Sequence, residues 1–149
     1  MPGIVVGVDQ SAQAHEALDW AMREAALRGT ALTVISVVPA MVSPWTRNPL
    51  AVPDSDHAVA QARETAEEAI AKTSGTAGGK QPSSVTVRAF TGFPAEALVD
   101  ASRDADLLVV GSRGSGGFGE LLLGSVSSQV AHHATCPVVI VRTGGQAAS

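Results

Sequence analysis

"VVGSRGSGGFGELLLGSVSSQVAHH", residues 109–133, places six glycines within the fourteen positions from Gly111 to Gly124. An apolar run precedes the glycines and a segment of helical character follows them. Glycine loses more backbone entropy on folding than any other residue, so such a cluster marks a main chain that turns sharply or approaches something closely. The helix is expected to open near Gly124 and run to about Ala134, with Val126 and Val130 turned inward. The stretch then reads as strand, loop and helix, and the remaining chain is read outward from it.

Five short apolar runs are bounded by turn residues and read as strands: "IVVGV" (4–8), "ALTVISVV" (31–38), "VTVRAF" (85–90), "DLLVVG" (106–111) and "PVVIV" (137–141). Between them lie segments with helical spacing. Ala14, Ala17, Leu18, Ala21 and Ala25 share one face of the first, and Val59, Ala62, Ala66, Ala69 and Ile70 share one face of the second. Pro94 stands where a third helix can begin, ahead of Ala97, Leu98 and Ala101. The order βαβαβαβαβ, with strands apolar almost throughout, predicts a doubly wound α/β domain whose parallel sheet carries helices on both faces. Residues 39–56, with four prolines, and 74–84, rich in glycine and serine, read as surface loops.

The 149 residues fit one domain with a substantial core, and 45% hydrophobic with 16% charged residues is an ordinary globular composition. A formal net charge of −4 argues against broad attraction to nucleic acid or to an anionic membrane, so an anionic ligand has to be held locally. The single cysteine, Cys136, excludes an internal disulfide and reads as a small buried apolar residue. The opening "MPGIVVGVDQ" lacks the basic and apolar regions of a signal peptide, and no window offers a membrane span. A cytoplasmic location is expected.

In open α/β sheets, ligands bind beyond the carboxyl ends of the strands, where the winding direction reverses. The glycine cluster follows the fourth strand and leads into a helix N-terminus, whose N–H groups and dipole favour an anion. Asp9 ends the first strand, where a carboxylate suits the hydroxyls of a ribose. Together these features describe a nucleotide. "GSGGFG" (114–119) matches a dinucleotide fingerprint literally, but it follows the fourth strand rather than the first, and no acidic residue occurs after Glu120. The only Gly-Lys pair, Gly79 and Lys80, precedes Gln81 and so makes no Walker-type loop. A phosphoacceptor reading fails because strands three and five end in "AFTG" and "IVRT", without the expected aspartate and lysine.

Gly111, two residues, Gly114, nine residues, then Gly124 and Ser125 give G-x2-G-x9-G-[ST], which resembles the ATP-binding motif of the universal stress protein family. "GVD" (7–9), "VISVVP" (34–39) and "HHATCPVVIVR" (132–142) are similar to that family's forms, so the resemblance spans nearly the whole chain. It implies a single domain over residues 1–143 with a disordered tail at 144–149. The implied fold is adenine nucleotide alpha hydrolase-like, a doubly wound five-stranded parallel sheet ordered 3-2-1-4-5. It further implies an ATP site in which Asp9 meets the ribose, Gly7 and Val8 line the approach, and Val37 packs on the adenine. Val110 lies beside the base, Gly111, Ser112, Arg113 and Gly114 begin the phosphate loop, and Gly124, Ser125, Val126 and Ser127 form its far side.

Glycine at 111 and 114 would let the main chain pass close to a phosphate with positive φ, and Gly124 would let the helix start tightly. Ser125 can cap that helix or donate to the ligand, Arg113 can supply positive charge, and Mg²⁺ would neutralise a triphosphate further. Plainer roles stand beside these. Asp9 can cap the first helix, Arg113 can be a solvated loop charge, and Ser127 can bond its own helix backbone. His132 and His133, adjacent on a helix, point about 100° apart and make a poor metal pair; they read as helix-end charges or partial core. No catalytic constellation is present in the sequence, so the expected function is a nucleotide-dependent regulatory protein of the stress response with little or no hydrolysis. The alternatives are a slow Mg-dependent ATPase and a cyclic-AMP-binding member of the family. A homodimer joined through strand 137–141 and an unidentified protein partner are expected, with neither nucleic acid nor membrane as partners.

Overall fold

The computed structural model describes residues 3–9, 14–40, 55–73, 79–112 and 124–142. The elements are β1 (Ile4–Val8), α1 (Ala14–Arg28), β2 (Ala31–Pro39), α2 (Ser55–Lys72), β3 (Ser84–Gly92), α3 (Pro94–Ser102), β4 (Leu107–Gly111), α4 (Ser125–His133) and β5 (Val138–Val141). The five strands form one sheet in the order β3-β2-β1-β4-β5, and every pairing is parallel. The sheet therefore reverses its winding between β1 and β4, as the resemblance implies.

Side chains alternate across a strand, and that alternation divides the core into two layers. Ile4, Val6, Leu32, Val34, Leu107 and Val109 face α1 and α2, where Ala17, Ala21, Ala25 and Ala66 bring the helices close to the sheet. Val5, Ile35, Leu108 and Val110 face the other way and pack with Leu98 of α3 and Val130 of α4. Strands buried on both sides need apolar residues at nearly every position, which is why the runs of β1 and β4 read as continuous, whereas the edge strand β3 carries exposed Thr86, Arg88 and Thr91.

The ends follow local chemistry. Gly29, at φ +64°, closes α1: its N–H donates to the Ala26 carbonyl and that of Thr30 to the Ala25 carbonyl, the Schellman pattern. Pro94 is in the first turn of α3, where its missing N–H costs nothing. β3 runs two residues beyond the sequence expectation because Thr91 and Gly92 pair with Val38 and Pro39, and the Ala40 N–H then donates to the Gly92 carbonyl at 2.8 Å. At the other end of the expected loop, Ser55 and Asp56 already belong to α2. Cys136 is half-buried rather than buried, between α4 and β5. His132 and His133 are both exposed in the last turn of α4, with ring centroids 6.3 Å apart, so neither belongs to the core.

Candidate functional site

The carboxyl ends of β1, β2 and β4 make the rim of the crevice. Val8 pairs with Ser36, so Asp9 and Val37 stand one step further along their strands, at the same level. The β1–β4 register, continued from Val6 opposite Val109, brings Val8 level with Gly111. Asp9 is exposed at this rim. Val37 and Val126, both partly buried, pack with the buried Val110 in the apolar layer under α3 and α4. The two expected base-side residues, Val37 and Val110, thus share one apolar layer with Val126, expected on the phosphate side.

α4 supplies the polar end. The first-turn N–H groups of a helix have no intrahelical acceptor and carry the positive end of its dipole. α1, α2 and α3 place Glu16, Asp56 and Glu96 in their first turns, whereas α4 places no acidic residue there. Its N-terminus therefore keeps its attraction for an anion. Ser125, the first helical residue, is exposed, and Gly124 is the N-cap.

The two edges of the glycine segment meet. The Gly124 N–H donates to the Ser112 carbonyl at 2.6 Å, and the Ser112 N–H donates to the Val141 carbonyl at 2.8 Å. The Ser127 hydroxyl donates to the Ser112 carbonyl at 3.0 Å and lies 3.2 Å from the Gly124 carbonyl. Arg113 and Gly114, expected between these edges, lie outside the described residues, as do Gly116, Gly117 and Gly119.

Several positions differ in detail from their expected roles. Gly111 is the last residue of β4, paired with Val141, and takes strand conformation; positive φ among the described glycines occurs only at Gly29 and Gly79. Gly124 has φ −77° and ψ 175°, an extended conformation open to any residue, and its N–H bonds the Ser112 carbonyl. At Gly7 an added Cβ would lie 2.7 Å from Leu98 Cδ1, so the missing side chain makes room for α3. Val8 turns its side chain to the opposite layer, against α1 and α2, and can offer the crevice only its main chain. Period-two alternation contains this distinction, since adjacent strand residues cannot both face one side.

Features without a sequence signal also border the rim. Phe90 pairs with Val37 and packs in the same layer, while Phe93 is the exposed N-cap of α3. Beneath Asp9, on the α1 and α2 side, a cavity of about 20 Å³ is lined by Val8, His15, Ser36, Thr65 and neighbouring alanines. That volume suits a water rather than a nucleoside. Among the described residues no group of three His, Cys, Asp or Glu side chains could hold a metal ion by itself, and no helix is long and apolar enough to cross a membrane.

Known proteins share this sequence pattern and this fold. The sequence model of the universal stress protein family matches residues 2–142. A universal stress protein of Mycolicibacterium smegmatis is 35% identical over 98% of this chain and 50% of its own length. One of Mycobacterium tuberculosis is 37% identical over 93% of this chain and 47% of its own. The chain thus spans about half the length of the curated relatives it matches. Among solved structures, a universal stress protein from Lactobacillus plantarum superposes with a TM-score of 0.74 at 24% identity, covering 95% of this chain and 97% of that one. A universal stress protein solved in complex with cAMP gives a TM-score of 0.64 at 29% identity, covering 95% of this chain and 96% of that one.

Proposed function

The chain belongs to the universal stress protein family, and on that premise we propose that it is an adenine-nucleotide-binding regulatory protein. In this reading it takes ATP with Mg²⁺ between β1 and β4 and cleaves it little or not at all. The observation that carries the reading is the pairing of the apolar wall Val37, Val110 and Val126 with the acid-free N-terminus of α4 at one rim. An adenine fits such a wall, and a phosphate chain suits the first-turn amides and the Ser125 hydroxyl. Asp9 then meets the ribose, with Gly7 and Val8 contributing main chain. Gly111, Ser112, Arg113, Gly114 and Gly124 frame the phosphates.

The donor set fits a cation that arrives with its nucleotide. Mg²⁺ usually takes one or two carboxylates plus phosphate oxygens and waters, and Asp9 and Ser125 are the exposed oxygen donors at this rim. The ion would neutralise the triphosphate. Occupation changes a surface read by a protein partner in the cytoplasm. The working unit is a homodimer joined through residues 137–141.

A second reading, cyclic AMP as the ligand, is favoured by the 29% identical relative solved with cAMP. Calorimetric titration with ATP, ADP, AMP and cyclic AMP, each with and without Mg²⁺, separates the two. Tightest binding for ATP with Mg²⁺, abolished in Gly114→Val, is the expected result. Tighter cyclic AMP than ATP favours the second reading, and no binding of any adenine nucleotide overturns both.

A further inference from the structure

Ser127 sits where the resemblance implies a phosphate contact, yet its side chain is only 3% exposed. It has a single hydroxyl proton, shared between the carbonyls of Ser112 at 3.0 Å and Gly124 at 3.2 Å. The second contact is the ordinary back-bond of a helical serine. The first spans fifteen positions and reaches the opposite edge of the glycine segment. The Ser112 carbonyl also accepts the Gly124 N–H, so it receives two donors, as many as a carbonyl has lone pairs. Ser125, two positions earlier, lies about 200° away around the helix, and it is exposed.

We propose that Ser127 is a positioning residue for the phosphate end of the site. It fixes the separation of Ser112 and Gly124 by holding the Ser112 carbonyl, which the Ser112 N–H in turn anchors to Val141 of β5. It touches no phosphate; the hydroxyl that meets the ligand is that of Ser125. This inference rests on the adenine-nucleotide reading and adds how Ser112 and Gly124, the two edges of the phosphate site, are kept together. Its consequence is selective. Loosening the edges weakens recognition of the phosphates and leaves recognition of the nucleoside intact.

The test compares affinities for ATP with Mg²⁺ and for adenosine in the wild type and in Ser127→Ala, with thermal melting as the check on folding. Ser127→Ala is expected to weaken ATP roughly three- to tenfold, the worth of one hydrogen bond, with adenosine unchanged. An equal loss for both ligands shows a merely structural role, and unchanged ATP affinity shows no role; either overturns the proposal. A wild type that binds neither ligand removes the nucleotide reading itself, whereas a wild type that binds both beside an indifferent variant removes only Ser127. One measurement needs no variant. Hydrogen exchange of the Gly124 amide in the ligand-free wild type should be slow, and exchange at the rate of an open loop amide would overturn the clasp.

Discussion

A Cβ built at Gly7 would lie 2.7 Å from Leu98 Cδ1, and one built at Gly3 would lie 2.5 Å from the Ala31 carbonyl oxygen. The two obstacles differ in kind. Leu98 is a buried side chain that can change rotamer at the expense of its packing, so Gly7→Ala should destabilise by about 1–3 kcal/mol. The Ala31 oxygen belongs to β2 and cannot yield without moving the strand, so Gly3→Ala should lose more. Urea unfolding midpoints for the two variants test the ranking, and a Gly3→Ala protein as stable as Gly7→Ala would refute it. Cys136 offers a pH test. Burial raises its thiol above the ordinary value of 9.0, the backbone contact opposes this, and Asp106 raises it further. A thiol that ionises later in the folded chain than in the unfolded one adds stability below the unfolded value, and that stability is lost as pH rises through the folded one. The melting temperature should therefore fall more steeply above pH 9 in the wild type than in Cys136→Ala; parallel curves would exclude the effect.

The C-terminus of α3 is joined to the turn before β5 by one side chain. Ser102, fully buried, donates to the Val99 carbonyl at 2.6 Å and accepts the Thr135 N–H at 3.0 Å. Ser102→Ala leaves that N–H without its acceptor, so a loss of about 1–3 kcal/mol is expected. The loss should appear as faster hydrogen exchange at Thr135; an unchanged rate would show that another group takes over. Such tertiary links explain what could be read from the sequence. β1, β2 and β4 were legible because burial on both faces makes them apolar almost throughout, the edge strands β3 and β5 because their runs are rich in β-branched residues, and α1 through Ala14, Ala17, Leu18, Ala21 and Ala25, all of them buried. The position of the rim was legible through Asp9 and Gly124-Ser125, since a strand end and a helix start can each be read from local sequence. The space beside Gly7 that Leu98 fills and the Ser112 carbonyl, fifteen positions away, that holds the Ser127 hydroxyl leave no local signal. Both partners are distant in sequence, and local pattern carries no record of them.

The two sheet edges are treated differently across the molecule. β3 is lined by exposed polar residues, and the Arg63 guanidinium donates to its Val87 carbonyl at 3.0 Å, which blunts that edge. β5 is short, entirely apolar and half-buried. Pairing of two copies through β5 is the proposed remedy, so light scattering should give twice the 15.1 kDa chain mass at micromolar concentration; a constant monomer mass would refute it. Ligand occupancy is the remaining property of the whole fold, because a nucleotide that binds only the native state stabilises every element together. At a free concentration one hundred times its dissociation constant it adds about 2.7 kcal/mol. For a chain of this length that corresponds to a rise of roughly 5–10 °C in melting temperature. ATP with Mg²⁺ should produce this rise, chelation of the metal should reduce it, and adenosine should produce less because it leaves the α4 N-terminus unused. Melting curves unmoved by millimolar ATP, ADP and cyclic AMP alike would mean that the rim between β1 and β4 accepts no adenine nucleotide.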